Sequence, residues 1–307
     1  MERRYDLLII GAGPAGMTAA VYGSRAGLTC AMLESGAPGG KLVKTAEIQN
    51  WPGIKETQGA QLAYEMFEHS TYFGAEYLYG NVIKIEDGKE YKKVICDDNN
   101  IYEAKAVIVA TGTLERMMNI PGEQENIGRG VSYCAVCDGA FFKDEEVVVI
   151  GGGNSALEEA QYLTQFAKQV TILIRRDVFR ADAIIQEHLL KNEKVKVITK
   201  VVPVSVKDDG KKVSGIEIKN VDTGEISILP TKGIFPYIGL DPSTSFLTGL
   251  DVLDEHGYII TDENGETKIK GLYGAGDVIV KKLRQVVTAA GDGAIAAQHA
   301  FHQIKGI

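Results

Sequence analysis

The sequence has few of the features that mark secreted, membrane or nucleic-acid-binding proteins. It contains only four cysteines among 307 residues, which is too few for a scaffold held together by disulfides. No uncharged apolar run is long enough to span a membrane. Acidic residues outnumber basic ones by 41 to 33 and give a net charge of −8, whereas a general nucleic-acid binder is basic. We therefore predict a cytoplasmic protein that binds neither membrane nor nucleic acid.

The chain is longer than the size at which one hydrophobic core keeps growing, so two domains are expected. One pattern occurs twice: an apolar run, a glycine-rich turn and a helix with small residues on one side. The two turns span residues 11–16 and 151–156 and align at a constant offset. Continuous Val, Ile and Leu strands that alternate with helices indicate parallel sheets covered on both faces. The predicted fold class is therefore α/β, with two Rossmann-like dinucleotide-binding domains built on three-layer sheets.

The end of the chain returns to the pattern of the first domain. Residues 271–277 form a glycine-rich segment, and a helix rich in small residues follows it. The second domain is therefore predicted to be inserted into the first. The first domain would comprise residues 1–115 and 246–307, and the second would comprise residues 116–245.

Each glycine-rich turn lies between a predicted strand and a predicted helix, which is the context that gives the GxGxxG pattern its meaning. The first glycine makes the tight turn, the second lets the backbone approach a pyrophosphate, and the third lets helix and strand pack closely. The helix N-terminus offers free N–H groups and a partial positive charge to the phosphates. The alternative is a tight turn without a ligand. The predicted nucleotide-binding residues are Gly11, Gly13, Pro14, Ala15 and Gly16 in the first copy and Gly151, Gly153, Asn154, Ser155 and Ala156 in the second.

The residue that ends the second strand differs between the two copies. In the first copy it is Glu34, an acceptor for ribose hydroxyls that suits the adenosine half of FAD, or NAD. In the second copy Ile174 occupies this position, Arg175 and Arg176 follow it, and Arg180 lies close behind. Arginines at this place suit a 2′-phosphate, so the second site is predicted to bind NADPH. The alternative is a solvated basic turn offset by nearby carboxylates.

A third nucleotide feature precedes the last predicted helix. The carboxylate of Asp277 would hold the hydroxyls of a ribityl chain, and the N-terminus of the helix would face a flavin. The glycine-aspartate pair is weak evidence by itself, but it gains weight from its position after an inserted domain. A strand that ends at residues 110–112 is predicted to reach the same ligand. The residues assigned to this end of the flavin site are Ala110, Thr111, Gly112, Gly276, Asp277, Arg284, Gln285 and Val286.

Cys134 and Cys137 lie two residues apart, just before the first strand of the second domain. This spacing lets both sulfurs form one short disulfide at a helix start, where a thiolate is favoured. Zinc is the main alternative, but a structural zinc site needs four ligands, and the other cysteines and the five histidines lie away from this pair in the sequence. We predict no metal site. Asp138 is the natural proton carrier, because reducing a disulfide consumes protons; it is also suited to cap a helix.

In their order along the chain, these motifs resemble those of low-molecular-weight thioredoxin reductases. The resemblance covers the whole chain. Its most specific element is the redox pair, which lies in the pyridine-nucleotide domain and not in the FAD domain. The matching segments are residues 11–16, 50–53, 110–112, 134–139, 151–156, Arg175 and Arg176 with Arg180, and residues 274–277.

The resemblance implies that the first domain binds FAD, with Asn50 among its ligands, and that the inserted domain binds NADPH. Hydride would pass from NADPH to the flavin, and electrons would pass to the disulfide, whose dithiol form reduces thioredoxin. Cys137 would face the flavin, and Cys134 would be the exposed sulfur that attacks the partner. The docking residues implied for thioredoxin are Arg129, Phe141 and Phe142. Homodimers are usual in the family.

Two residues depart from the family pattern. Ile174 stands where His is common, and Lys41 stands where Gln is usual, near the expected flavin. Three other functions stay open at the level of sequence: a ferredoxin-linked thioredoxin reductase, a small-dithiol oxidase of the same fold, and a non-catalytic redox sensor. The intact Cys-x-x-Cys-Asp segment argues against the sensor, because a sensor needs no proton carrier.

Overall fold

The computed structural model describes residues 3–88 and 90–307. The chain divides into two compact units, one formed by Met1–Leu114 with Asp241–Ile307 and the other by Glu115–Leu240. The chain returns to the first unit at Asp241, which is earlier than the predicted position 246. The polar residues 243–245, whose composition is typical of a linker, belong to the first unit. The Ser243 N–H donates to the Gly112 carbonyl at 3.1 Å, and the Ser243 carbonyl accepts from the Thr111 hydroxyl at 2.7 Å.

Strands alternate with α-helices at the start of each unit, whereas strands follow one another without an intervening α-helix over the described residues of 76–115 and 195–242. The strands are β1 (Arg3–Ile10), β2 (Cys30–Glu34), β3 (Glu47–Ile48), β4 (Thr57–Gln58), β5 (Glu76–Tyr79), β6 (Val82–Glu86), β7 (Lys92–Cys96), β8 (Ile101–Val109), β9 (Thr113–Glu115), β10 (Glu146–Ile150), β11 (Gln169–Ile174), β12 (Val195–Thr199), β13 (Val201–Asp208), β14 (Val213–Asn220), β15 (Ile226–Pro230), β16 (Gly233–Pro236), β17 (Leu240–Pro242) and β18 (Leu272–Gly274). The α-helices are α1 (Pro14–Arg25), α2 (Gly59–Tyr72), α3 (Ala135–Asp138), α4 (Asn154–Leu163), α5 (Ala183–Leu190) and α6 (Val286–Lys305). Short 3₁₀ helices lie at Gly40–Lys44, Gln124–Asn126, Gly139–Phe142, Ser245–Leu247 and Gly276–Val278.

The first unit is built on a seven-stranded sheet. Its strands β5, β2, β1 and β8 are parallel neighbours in that order. Strand β8 is long enough to have two further partners: its carboxyl half pairs in parallel with β18, and its amino half pairs antiparallel with β7, which continues to β6. The carboxyl ends of β1, β2, β8 and β18 therefore meet at one end of the sheet, which is where α/β folds bind ligands.

Helices α1 and α6 cover one face of this sheet and pack closely together. The approach is so close that a Cβ atom on Gly293 would lie 2.1 Å from the Ala15 carbonyl oxygen. Small residues on both helices make the contact possible, and Ala19, Ala296 and Ala297 are fully buried there. The opposite face is covered by a second cluster to which β6, β7 and residues 247–259 contribute. The first unit thus has three layers.

The second unit contains a parallel sheet in the order β12-β11-β10-β16. Helices α4 and α5 pack on one face, where Leu157, Leu163 and Leu189 are buried. The antiparallel sheet β13-β14-β15 covers the other face through Val206 and Ile216. The predicted α/β class, with two Rossmann-like domains in three layers and the second inserted into the first, is confirmed. Within the part of the chain that the structure describes, no helix is both long and apolar enough to cross a membrane.

Candidate nucleotide and disulfide sites

The glycines that precede the helices of the two turns have nearly the same backbone conformation. Gly13, the N-cap residue of α1, has φ −81° and ψ −176°, and Gly153, the N-cap residue of α4, has φ −98° and ψ 177°. Among the described residues, no side chain accepts a capping hydrogen bond at either position. A Cβ atom added to Gly13 or Gly153 would meet nothing within 4 Å. Each helix therefore presents free N–H groups to an open cradle, which fits a phosphate.

The other glycines of the first turn are required by the protein itself. Gly11 has φ +103°, and a Cβ atom there would lie 2.4 Å from the Ala110 carbonyl oxygen. A Cβ atom on Gly16 would lie 1.9 Å from the Gly11 carbonyl oxygen. These contacts bring residues 110–112, at the end of β8, against the first turn. The sequence prediction that both segments serve one ligand is consistent with this geometry.

Glu34 ties the first turn to the end of β2. One carboxylate oxygen accepts the Ala12 N–H at 2.9 Å, and the other accepts the Gly36 N–H at 2.9 Å. Each oxygen can accept a further hydrogen bond. The Glu34 side chain thus fixes the first glycine-rich turn, and its oxygens can still accept a hydrogen bond from a ribose hydroxyl.

Asp277 lies in a basic neighbourhood on a short 3₁₀ helix. Burial raises the pKa of its carboxyl, while the cationic side chains of Lys41, Lys281 and Arg284 act in the opposite direction. Lys281 forms an ion pair with Asp292, whose carboxylate also accepts the Gly276 N–H at 3.0 Å. The carboxyl of Asp277 is thus held among cations at the end of the sheet to which β8 and β18 lead.

Arg284 has a role in the loop before α6 that the sequence did not reveal. Its guanidinium donates to the Asp277 carbonyl at 3.1 Å and to the Ile279 carbonyl at 3.2 Å. It also lies 4.3 Å from the centre of the Tyr258 ring. Arg284 therefore fixes the backbone around Asp277. That Arg284 also binds the flavin directly stays a prediction.

The N-terminus of α6 is capped by its own residues. Gln285 and Thr288 form a capping box, in which each side chain accepts a backbone N–H of the other. The Gln285 side-chain oxygen also accepts from the Asn50 side chain at 3.0 Å. The structure thus brings together Asn50 and the residues just before Val286, although they are far apart in the sequence.

The turn of the second copy is closed by the segment after β11. The Arg180 N–H donates to the Gly152 carbonyl at 2.7 Å. Asn154 and Asp182 exchange two hydrogen bonds of 2.8 Å, so the Asn154 side chain supports this segment. Ile174 is only 4% exposed and lies beneath the turn, because a Cβ atom on Gly152 would be 3.1 Å from its Cγ2. Ile174 is therefore a packing residue.

Three arginines of this segment point to solvent. Arg175, Arg176 and Arg180 are exposed, and their side chains make no hydrogen bond or ion pair within residues 3–88 and 90–307. The Arg180 backbone is bonded to the glycine turn. The guanidinium groups are thus available to an anionic ligand at the end of β11.

Cys134 and Cys137 form a disulfide at the start of α3. Cys134 is the N-cap residue, and its sulfur accepts the Cys137 N–H at 3.2 Å. After reduction, a backbone N–H in this position would stabilise the thiolate of Cys134. Cys137 is exposed and Cys134 is half-buried, which is the reverse of the exposure predicted for the attacking sulfur. In this disulfide form, the Cys137 N–H of α3 lies against the Cys134 sulfur.

Two residues that the sequence did not indicate support this pair. The Ser132 hydroxyl donates to the Asp138 carboxylate at 2.6 Å and accepts the Cys134 N–H at 3.1 Å. The Tyr237 hydroxyl accepts the Ala135 N–H at 3.2 Å. Ser132 therefore links the predicted proton carrier to the backbone of the first cysteine. No motif signals either residue in the sequence.

The two remaining cysteines are unsuited to redox chemistry. Cys30 and Cys96 are buried free thiols. Burial raises the pKa of Cys30 to about 12 and that of Cys96 to about 11. Because the thiolate is the reactive form, the raised pKa values make Cys30 and Cys96 poorly reactive, which leaves Cys134 and Cys137 as the candidate redox pair.

The three residues implied for docking differ in their surroundings. Arg129 is exposed, and Phe141 is 81% exposed. Phe142 is instead half-buried, and its ring packs edge-to-face on Phe235 with centroids 5.3 Å apart. The structure thus gives Phe142 a packing role, which leaves Phe141 as the aromatic residue available to a partner.

Comparison with known proteins identifies the family of the chain. It matches the pyridine nucleotide-disulphide oxidoreductase family over residues 5–293, and it belongs to this family. It is 50% identical over 304 residues to a thioredoxin reductase of Listeria monocytogenes, covering 99% of this chain and 95% of that protein. It is 49% identical to a thioredoxin reductase of Bacillus subtilis, covering 99% of this chain and 96% of that protein. The crystal structure of Lactococcus lactis thioredoxin reductase superposes with a TM-score of 0.97 at 49% identity, covering 99% of this chain and 100% of that one.

These similarities confirm the predicted resemblance to low-molecular-weight thioredoxin reductases. They also confirm the predicted enzyme class, an oxidoreductase that acts on a sulfur group. FAD and NADPH are the cofactors that membership of the family implies, as predicted.

Proposed function

We propose that the chain is an NADPH-dependent flavoprotein that reduces thioredoxin through the Cys134–Cys137 pair. The observation that carries the proposal is the disulfide at the start of α3, in the same unit as the second glycine turn and the exposed arginines. The names of the relatives that share about half of its sequence support the substrate.

We assign one cofactor to each unit. The first unit would hold FAD through Glu34, the turn at residues 11–16, the end of β8, Asn50, Asp277 and the start of α6. The second unit would hold NADPH through the turn at residues 151–156 and the arginines after β11. A bound FAD would supply an acceptor for the hydride of NADPH and a donor of electrons to the disulfide.

The residues of the chain would then carry out the exchange. Cys134, as a thiolate, attacks one sulfur of the thioredoxin disulfide, and the other sulfur leaves as a thiolate that takes up a proton. Cys137 next attacks Cys134, which releases the second thioredoxin thiol and restores the disulfide. The net reaction converts NADPH, one proton and a disulfide into NADP⁺ and a dithiol. Asp138, held by Ser132, is placed to donate a proton near the pair.

An anaerobic titration tests this function. Purified yellow protein should lose its flavin absorbance with NADPH and recover it when oxidised thioredoxin is added. Bleaching by reduced ferredoxin but not by NADPH would identify a ferredoxin-linked enzyme. Turnover only with a small dithiol and oxygen would identify an oxidase, and bleaching without any turnover would identify a sensor.

The open cradles predict separate effects of two alanine substitutions. Gly13→Ala and Gly153→Ala should leave the fold intact, because both residues have negative φ and no neighbour near the added Cβ. Gly13→Ala should purify with little FAD. Gly153→Ala should keep FAD and raise the NADPH KM about tenfold, since about 1.4 kcal/mol of binding corresponds to this factor.

A glycine outside the cradles supplies the control. Gly291→Ala on α6 also adds a Cβ that meets nothing within 4 Å, and it should change neither FAD content nor the NADPH KM. Circular dichroism should show wild-type folding for all three variants. Normal FAD content in Gly13→Ala and a normal KM in Gly153→Ala would refute the assignment of the two turns.

The different surroundings of the two phenylalanines predict different effects. Phe141→Ala should raise the KM for thioredoxin about fivefold, because exposed aromatic residues often anchor interfaces and about 1 kcal/mol corresponds to this factor. Phe142→Ala should instead lower the melting temperature, because its ring packs on Phe235. Flavin reduction by NADPH should be unchanged in Phe141→Ala. If Phe141→Ala has a normal thioredoxin KM, the docking role is wrong.

We further propose that the enzyme is cytoplasmic and forms a homodimer. The buried, unpaired thiols of Cys30 and Cys96 are typical of a reducing compartment. The dimer is supported by what is usual in the family. Sedimentation equilibrium of the holoenzyme at several concentrations would measure the oligomeric state, and a monomer throughout would reject the dimer.

A further inference from the structure

Lys41 lies in the proposed flavin site, which comprises three segments: the turn at residues 11–16, the end of β8 and the short helix that carries Asp277. It belongs to the 3₁₀ helix Gly40–Lys44, which is fixed on the first glycine turn: the Gly39 N–H donates to the Ala12 carbonyl at 2.7 Å. A Cβ atom on Gly40 would lie 3.3 Å from the Gly13 Cα. The backbone of Lys41 is thus held next to the turn that would bind the FAD pyrophosphate.

The side chain of Lys41 is hydrogen-bonded to the residue that follows the second segment and acts electrostatically on the third. Its ammonium group donates to the Thr113 hydroxyl at 2.8 Å, and Thr113 follows directly after Gly112. Its charge also acts on the carboxyl of Asp277. Three segments distant in sequence, which the proposed function assigns to one FAD, therefore lie near the ammonium group of Lys41, and Lys281 and Arg284 add positive charge on the Asp277 side.

A positive charge at this place has a chemical consequence. Two-electron reduction of a flavin near neutral pH adds one proton and leaves one negative charge on the ring. An ammonium group in a partly dehydrated cradle stabilises the reduced, anionic form more than the oxidised, neutral one. We propose that Lys41 is a tuning residue that raises the midpoint potential of the bound flavin. The inference rests on the proposed function, because it requires FAD in the first unit.

The test measures the flavin potential directly. The experiment uses full-length holoenzyme in which Cys134 and Cys137 are both replaced by serine, so that only FAD takes up electrons. Equilibration with a reference dye gives the ratio of reduced to oxidised flavin at a fixed potential. Lys41→Met should lower this ratio at least about tenfold, which is a fall of about 30 mV for a two-electron couple. Lys41→Arg, which keeps the charge, should stay close to the parent protein.

Two further variants separate charge from other effects. Lys282→Met removes an exposed lysine of the same unit and should leave the potential unchanged. If Lys41→Met loses FAD, Lys41→Gln keeps a donor to Thr113 without the charge, and the same tenfold criterion applies. An unchanged potential in Lys41→Met or Lys41→Gln with FAD bound would overturn the role of Lys41 and leave the proposed function standing. Parent protein that binds no FAD would overturn both.

Discussion

Replacement of Cys137 by serine should trap the protein substrate on the enzyme. Thiol–disulfide exchange passes through a mixed disulfide, which is released only when a neighbouring thiol resolves it. With Cys137 removed, Cys134 should form a stable covalent complex with a thioredoxin that lacks its own resolving cysteine. The complex should run as a single larger band in non-reducing electrophoresis and disappear with a reductant.

Replacement of Cys134 by serine should have the opposite result. No covalent complex should form, and the remaining Cys137 thiolate should give a long-wavelength charge-transfer band with oxidised FAD. The hydrogen bond from the Cys137 N–H to the Cys134 sulfur supports Cys134 as the attacking thiolate, and the resemblance places Cys137 at the flavin. Both variants should lose thioredoxin reduction altogether.

The control for both variants is the first half of the reaction. Each should keep FAD and still be bleached by NADPH, because neither cysteine forms part of the nucleotide cradles. Trapping in Cys134→Ser together with a charge-transfer band in Cys137→Ser would show that the roles are reversed, in agreement with the greater exposure of Cys137. Normal turnover in either variant would refute the pair as the electron relay.

Loss of Arg175 and Arg176 should remove the preference for NADPH. Charge-assisted hydrogen bonds contribute about 1.5–3 kcal/mol each, and exposure of these side chains to solvent and salt reduces that value. The double alanine variant should therefore raise the NADPH KM at least about tenfold, where about 1.4 kcal/mol corresponds to a factor of ten. The NADH KM should hardly change, because NADH lacks the 2′-phosphate.

A matched pair of lysines controls for the loss of two charges. Lys191 and Lys196 are exposed in the same unit, and their double alanine variant should keep the NADPH KM. The arginine effect should also shrink as ionic strength rises, since salt screens exposed charges. Equal effects of the arginine variant on NADPH and NADH would contradict recognition of the 2′-phosphate.

The repeated glycine-rich turns could be recognised in the sequence because the backbone constraints that define them are local. The conformation of Gly11 and the starts of α1 and α4 at Gly13 and Gly153 follow from backbone constraints within a few residues. The Cys-x-x-Cys spacing is likewise local, and it forms the predicted disulfide. The inserted domain was also recognisable, because the chain resumes the pattern of its first sheet at residue 271.

The domain boundary and the functions of several side chains could not be predicted from the sequence in the same way. Ser243 looks like linker, but its hydrogen bonds to Thr111 and Gly112 join it to the first unit. Arg284 stays a predicted flavin ligand, and the structure shows in addition that its guanidinium binds carbonyls of its own loop. In both cases the function of the residue is revealed by hydrogen bonds that neither composition nor periodicity predicts.

The sequence by itself determined the fold class, the two glycine turns, the redox pair and the family, because each depends on residue types at fixed short spacings. Only the tertiary structure decided how individual side chains are used. It turns Phe142 onto Phe235 while Phe141 stays exposed, and it brings Lys41 to Thr113 across 72 positions. Neighbouring residues of the same type can face a core or solvent according to what packs against them, and that packing is set by segments far away in the chain.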